Sequence, residues 1–247
     1  FNACMSRALS MSMVERERIA RAAGVVGAAT LLSRILGYAR DMVIAYLFGA
    51  GWATDAFFVA FRIPNTLRRL FGEGSMTVSF IPVYTDYLVH RSTEESQELV
   101  DVAFTLASSA LMGLAVFGII FSPQIIAALA PGFDDLHKVR LTILMTRIVF
   151  PYLFFIGLVA LAMGVLNAHR HFAAPALAPA LLNVSMIAAA YFLSGRLADP
   201  IVSLTIGVFF GGVIQLAFQL PFLIKKGVLF RLNFHFLHPA IKRICIL

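Results

Sequence analysis

Arg34, Arg40, Asp41, Asp55, Arg62, Arg68, Arg69 and Glu73 stand inside two stretches of sequence that are otherwise apolar. Their types suggest a chemistry. A guanidinium is planar, stays protonated at any working pH and grips a phosphate through two parallel hydrogen bonds. Carboxylates nearby can neutralise it or gate it. On a helix of about 3.6 residues per turn, Asp55, Arg62 and Arg69 fall on one drifting stripe to which Glu73 returns. Gly27, Arg34 and Asp41 form a similar stripe in the first stretch, with Arg40 about a third of a turn away. Arg68 points to roughly the opposite side unless Pro64 and Asn65 reset the register. For Asn65, backbone capping and ligand contact are equally good readings. Arg34, Arg40, Arg62, Arg68 and Arg69 outnumber Asp41, Asp55 and Glu73, so internal pairing leaves cations over. Excess enclosed arginine calls for an anion.

The elements that must hold these residues are membrane spans. The chain of 247 residues is 60% hydrophobic and 13% charged, against about 25% charged in ordinary soluble domains, and its mean hydropathy is +0.86. Residues 102–133, 148–170 up to the arginine, 172–195 and 200–224 carry no Asp, Glu, Lys or Arg. About 20 apolar residues cross the hydrocarbon core, so each suffices for a span. The charged stretches, about 19–48 and 52–71, bring the expected number to six. A charge near the bilayer centre costs at least ~2.5–3.5 kcal/mol, so these side chains must face water, one another or a ligand. The expected fold class is an all-α polytopic membrane protein, a six-helix bundle with a polar cavity.

Short loops set the orientation, because Lys and Arg favour the cytoplasmic side. With the N-terminus inside, that side receives Arg7, Arg16, Arg18, Arg21, Arg91, Arg170, Lys225, Lys226 and Arg231. The other receives Lys138 and Arg140 in the third connection and Arg196 in the fifth. The net charge of +7 fits this bias and contact with anionic lipid, and no basic, aromatic-interleaved pattern calls for nucleic acid. Ser92 or Thr93 caps the third helix, and Pro131-Gly132 closes it. Pro151, Pro175, Pro179 and Pro221 set packing or act as hinges. Gly24, Gly27 and Gly37, and Gly207, Gly211 and Gly212, permit close helix approach. Cys4 and Cys245 lie far apart and read as incidental thiols. Asp134-Asp135 reads as a solvated turn and His169 and His171 lack a third metal ligand, so no metal or cofactor is expected.

The run Ser33-Arg34-Ile35-Leu36-Gly37-Tyr38-Ala39-Arg40-Asp41 is followed by Phe48-Gly49-Ala50-Gly51, by Asp55-Ala56-Phe57-Phe58 and by Ala60-Phe61-Arg62-Ile63-Pro64-Asn65. Leu67-Arg68-Arg69-Leu70-Phe71 and Glu73-Gly74 come next, then Ala130-Pro131-Gly132-Phe133, Phe150-Pro151-Tyr152, Leu166-Asn167-Ala168 and Leu181-Leu182-Asn183. In this order they resemble the MurJ (MviN) lipid II flippase family of the MOP transporter superfamily, over about residues 29–234.

The resemblance implies two six-helix lobes around a central cavity, of which this chain supplies the N-terminal one. It implies that Arg34, Arg40, Arg68 and Asp55 bind substrate, and that Asp41, Arg69, Glu73 and Asn65 join a gate or salt-bridge network; Arg62 ranks below them. Pro64 and Asn65 are expected to break the second helix. Residues 1–18 form a cytoplasmic leader, 19–226 the lobe, and 227–247 a linker and the start of a seventh helix. A chain running from Phe1 to Leu247 is expected to be partial, lacking the second lobe. The implied function is flipping of lipid II across the inner membrane by alternating access, with lipid II, membrane lipids and the C-terminal lobe as partners. Another MOP-type exporter, a non-functional half-transporter and a polyprenyl-phosphate transferase are the alternatives; the last would need a metal-binding acidic pair.

Overall fold

The computed structural model describes residues 2–69 and 80–233, with side chains at all of these except 2–19, 21–22 and 68–69. Backbone groups in hydrocarbon must bond within their own segment, which favours helices. Among the described residues there are helices and no strand. They are α1 (Asn2–Phe48), α2 (Trp52–Arg69), α3 (Ile81–His90), α4 (Thr93–Ile120), α5 (Ser122–Leu129), α6 (Leu136–Val149), α7 (Tyr152–Ala168), α8 (Ala173–Leu193) and α9 (Val202–Lys225). Among the described residues, four stretches are long and apolar enough to cross a membrane: Thr93–Ile120, Leu136–Ala168, Ala173–Arg196 and Val202–Lys225. The helices α1 and α2 carry the charges and stand outside that set.

Three expectations change. The third span is not one helix closed by Pro131-Gly132: α4 starts at Thr93 as its cap leads one to expect, the Ser92 hydroxyl accepting from the Glu95 N–H at 3.2 Å, but it breaks at Phe121. Pro123 sits in the first turn of α5, where its missing N–H leaves no bond unmade. Arg147 Nε donates to Ser122 Oγ at 2.9 Å and so bridges the break. Lys138 and Arg140 lie inside α6 rather than in a loop, because Asp135 caps that helix by accepting from the His137 N–H at 2.8 Å. Finally, α2 runs unbroken through Pro64 to Arg69. Proline there withholds one N–H from the Ala60 carbonyl, while Ala56, Phe57 and Ala60 are packed at 0–1% exposure on either side of the preceding turn. Burial holds the helix together.

Packing gathers the lobe around two apolar clusters. One joins Ile44, Phe57, Met145, Phe150, Tyr152, Leu153, Met186 and Val208, drawn from α1, α2 and α6–α9. The other joins Phe80, Tyr84, Leu99, Leu161, Leu166 and Leu223 at the α3–α4 side. The helices α8 and α9 pack backbone to backbone at Gly207, where a Cβ would lie 2.9 Å from Met186 Cα and 3.1 Å from the Ser185 carbonyl. Ser185 Oγ donates to the Gly207 carbonyl at 2.8 Å. Gly24 and Gly27, by contrast, face open space. At Gly49 a φ of 65° ends α1 in the left-handed region that glycine adopts without strain.

Candidate functional site

The face of α1 that meets α8 is built from residues three or four apart: Ala29, Ser33, Gly37, Arg40 and Ile44. Ala29 and Ile44 are 5% and 4% exposed, and the missing side chain of Gly37 leaves the Asn183 amide nitrogen 3.6 Å from a would-be Cβ. Asn183 of α8 works in both directions. Its Nδ2 donates to the Ser33 carbonyl at 3.1 Å, and its Oδ1 accepts from Arg40 Nη1 at 3.0 Å. Arg40 also donates through Nε and Nη2 to Asp41 Oδ1, at 3.0 and 2.7 Å. A guanidinium has five N–H donors, so two remain on its terminal nitrogens. The side chains of Arg40 and Asp41 are 25% and 59% exposed, so this ion pair opens to solvent.

Arg34 is exposed and makes no ion pair among the described residues. On α2, Ala56, Phe57, Ala60 and Pro64 form the buried face, and Asp55 and Arg62 lie on the opposite, exposed stripe. Arg62 has no acidic partner among the described residues. The Asp55 carboxylate is 66% exposed, and its Oδ2 lies 3.6 Å from Lys138 Nζ on α6. Counting about 1.5 Å per residue from the turn at 49–51, Arg40 and Arg62 lie ~12–17 Å down their helices and Arg34 ~20 Å. Asn65 is partly buried and has partners of its own. Arg68 and Arg69 close α2, with side chains outside the described residues, as is the whole of Glu73.

Two members of these networks carried no functional reading in the sequence. Asn183 is a polar residue in an uncharged span, which was the available signal. Lys138 looked like a loop charge because its helix starts earlier than the apolar run. A third group lies elsewhere, between α3, the α7–α8 turn and the end of α9. Tyr84 Oη and His169 Nε2 are 3.1 Å apart. Burial pushes the Tyr84 phenol up to about 12. Burial first, and Lys226 second, hold the His169 and His171 imidazoles below the usual histidine range. No cluster of three metal-ligating side chains occurs among the described residues.

Membrane-length apolar helices, beside two charge-bearing helices with Arg34 and Arg62 exposed, define a multi-pass α-helical membrane protein. A family model described as lipid II flippase MurJ matches residues 44–247, and the chain belongs to that family. It is 43% identical over 229 residues to the lipid II flippase MurJ of Burkholderia cenocepacia, covering 91% of this chain and 44% of that one. A probable lipid II flippase MurJ of Vibrio cholerae is 41% identical over 236 residues, 92% of this chain and 45% of the other. Among solved structures, lipid II flippase MurJ in an inward closed conformation superimposes with a TM-score of 0.74 at 30% identity, over 90% of this chain and 46% of that one. A MOP superfamily transporter from Pyrococcus furiosus shares the fold, with a TM-score of 0.69 at 14% identity over 90% of this chain and 50% of its own. The chain spans about half the length of the relatives it matches.

Proposed function

We propose that this chain forms the N-terminal lobe of a lipid II flippase of the bacterial inner membrane and works by alternating access against a second lobe. The observation that carries the reading is the set of guanidiniums left over: Arg34 and Arg62 are exposed without an acidic partner among the described residues, and Arg40 keeps two free N–H donors. A diphosphate offers several anionic oxygens to such donors, and charge-assisted bonds to phosphate are among the strong ones. The headgroup enters the cationic cavity while the polyprenyl tail stays in lipid along the bundle surface. Substrate shifts the inward–outward equilibrium by binding its two states unequally. Residues 1–18 lie in the cytoplasm, 19–226 build the lobe and 227–247 lead to the next one. Arg68 belongs with the substrate-binding arginines; Asp41, Arg69, Glu73 and Asn65 belong with the gate. The membrane potential, worth about 2.3 kcal/mol per charge per 100 mV, is a sufficient drive.

The test is complementation in cells depleted of their own flippase. In the full-length transporter, Arg40→Ala and Arg68→Ala are expected to insert normally and to abolish growth. Growth at the unmodified rate would remove the phosphate-binding role.

A further inference from the structure

The start of α6 brings two adjacent side chains against two different neighbours. Lys138 Nζ reaches Asp55 Oδ2 on α2 at 3.6 Å and also lies 3.9 Å from the centre of the Phe133 ring. His137 Nε2 lies 3.5 Å from Asp199 Oδ1, in the link before α9, and its ring meets Trp52 edge-on at 5.3 Å. The links 49–51, 131–135 and 197–201 are thereby gathered at one end of the lobe. The Lys138 side chain is only 17% exposed. It also stands in the first turn of a helix, where the backbone dipole disfavours a cation. Its enclosure therefore has to be offset, and the Asp55 carboxylate and the Phe133 ring are what surround it.

We infer that Lys138 is the positioning residue for Asp55: the two form a clasp between α2 and α6 that must open and close as this end of the cavity does. This rests on the flippase reading above. The clasp has the properties of a reversible contact. It is long for an ion pair, and its carboxylate is mostly solvated, so it is weak taken singly. Released from Asp55, the ammonium keeps the Phe133 ring. Phe57 of α2 and Met145 of α6, at most 1% exposed, lie in one apolar cluster that holds the two helices together without the pair. Asp55 therefore acts through α6 rather than by touching substrate.

The test uses the full-length transporter with Cys4 and Cys245 replaced by Ser, assayed for lipid II translocation in vesicles. Lys138→Met and Asp55→Asn are each expected to slow translocation by about tenfold or more, and Lys138→Arg to leave it near normal. The exchange Asp55→Lys with Lys138→Asp should recover the rate to within about threefold, the behaviour of a directly coupled pair. Recovery by the exchange shows that the two charges act on each other directly, and a cross-link separates a clasp that must open from a fixed structural pair. Normal translocation by Lys138→Met overturns the clasp, and so does an exchange as slow as Asp55→Asn, because Asp55 would then serve the substrate alone. Cysteines at 55 and 138 joined by a short disulfide-forming cross-linker should stop translocation altogether, and reduction should return it only to the slowed rate of the Lys138→Met and Asp55→Asn variants. Failure to cross-link, or translocation by the cross-linked protein, also overturns it. The two failures separate: an unmodified transporter inert towards lipid II removes the functional reading, whereas cross-linking reports the clasp on the protein itself.

Discussion

Asn183 shows how a neutral side chain can set the strength of a cationic site. It occupies one Arg40 donor without adding charge, so Arg40 stays available to an anion on its remaining edge. Asn183→Asp would add a second carboxylate beside Arg40 and compete with phosphate. The expected outcome is substrate binding weaker by about tenfold or more, the size of one charge-assisted hydrogen bond; titration of a lipid-linked diphosphate checks it. Asn183→Leu instead removes the bond to the Ser33 carbonyl, which keeps its helical partner, and leaves one Arg40 donor unmet, and should lower the melting temperature. The arginines stood out in the sequence because a charge in an apolar run is too costly to keep unless it meets water, a counter-charge or a ligand. Asn183 and Lys138 did not, because an uncharged amide barely changes hydropathy, and because a capped helix start is not visible in an apolar count.

At the scale of elements, close packing and titration each give a test. A side chain at Gly207 meets backbone atoms of α8 that cannot step aside. Gly207→Val is therefore expected to destabilise by about 1–3 kcal/mol, as overpacking does, and to lower the melting temperature in detergent. Gly27→Ala, with nothing within 4 Å, should leave it unchanged or raise it, since alanine favours helix by about 1 kcal/mol over glycine. The α3, α7 and α9 ends meet at His169 and His171, whose affinity for protons is lower folded than unfolded. Above the unfolded value of about 6.5 both states are neutral there, and the stability is fully present. As pH falls below that, the unfolded chain takes up protons first and stability is lost until the folded imidazoles also titrate. Melting temperature should thus drop from pH 7 towards 5, and His169→Gln with His171→Gln should flatten the drop. A flat profile in the unmodified protein would contradict it. The long helices were readable from apolar runs and from the Ser92 cap, whereas the short α3, which lies outside every apolar run, was not. The break at Phe121 and the continuity through Pro64 were not, because neighbouring helices decide whether a proline or a packed turn ends a helix.

For the whole molecule, the cationic stripe makes sense only opposite something. Arg34, Asp41, Asp55 and Arg62 are exposed on the lobe, and exposed apolar residues such as Ile35, Tyr38, Met42 and Tyr46 lie beside them on α1. Set against hydrocarbon alone, such charges cost several kcal/mol even after water defects form. The 247-residue chain expressed by itself is therefore expected to insert but not to restore growth to flippase-depleted cells; rescue would show that two copies can serve as two lobes. The central claim is that the arginines left over from internal pairing hold the diphosphate. The measurement that tests it most directly is the affinity of the purified full-length transporter for an undecaprenyl diphosphate, compared with Arg34→Gln and Arg62→Gln combined. A loss of about a hundredfold or more, at roughly 1.5–3 kcal/mol for each charged hydrogen bond, with an unchanged melting temperature, is the predicted result. Equal affinity in the double variant would contradict the account.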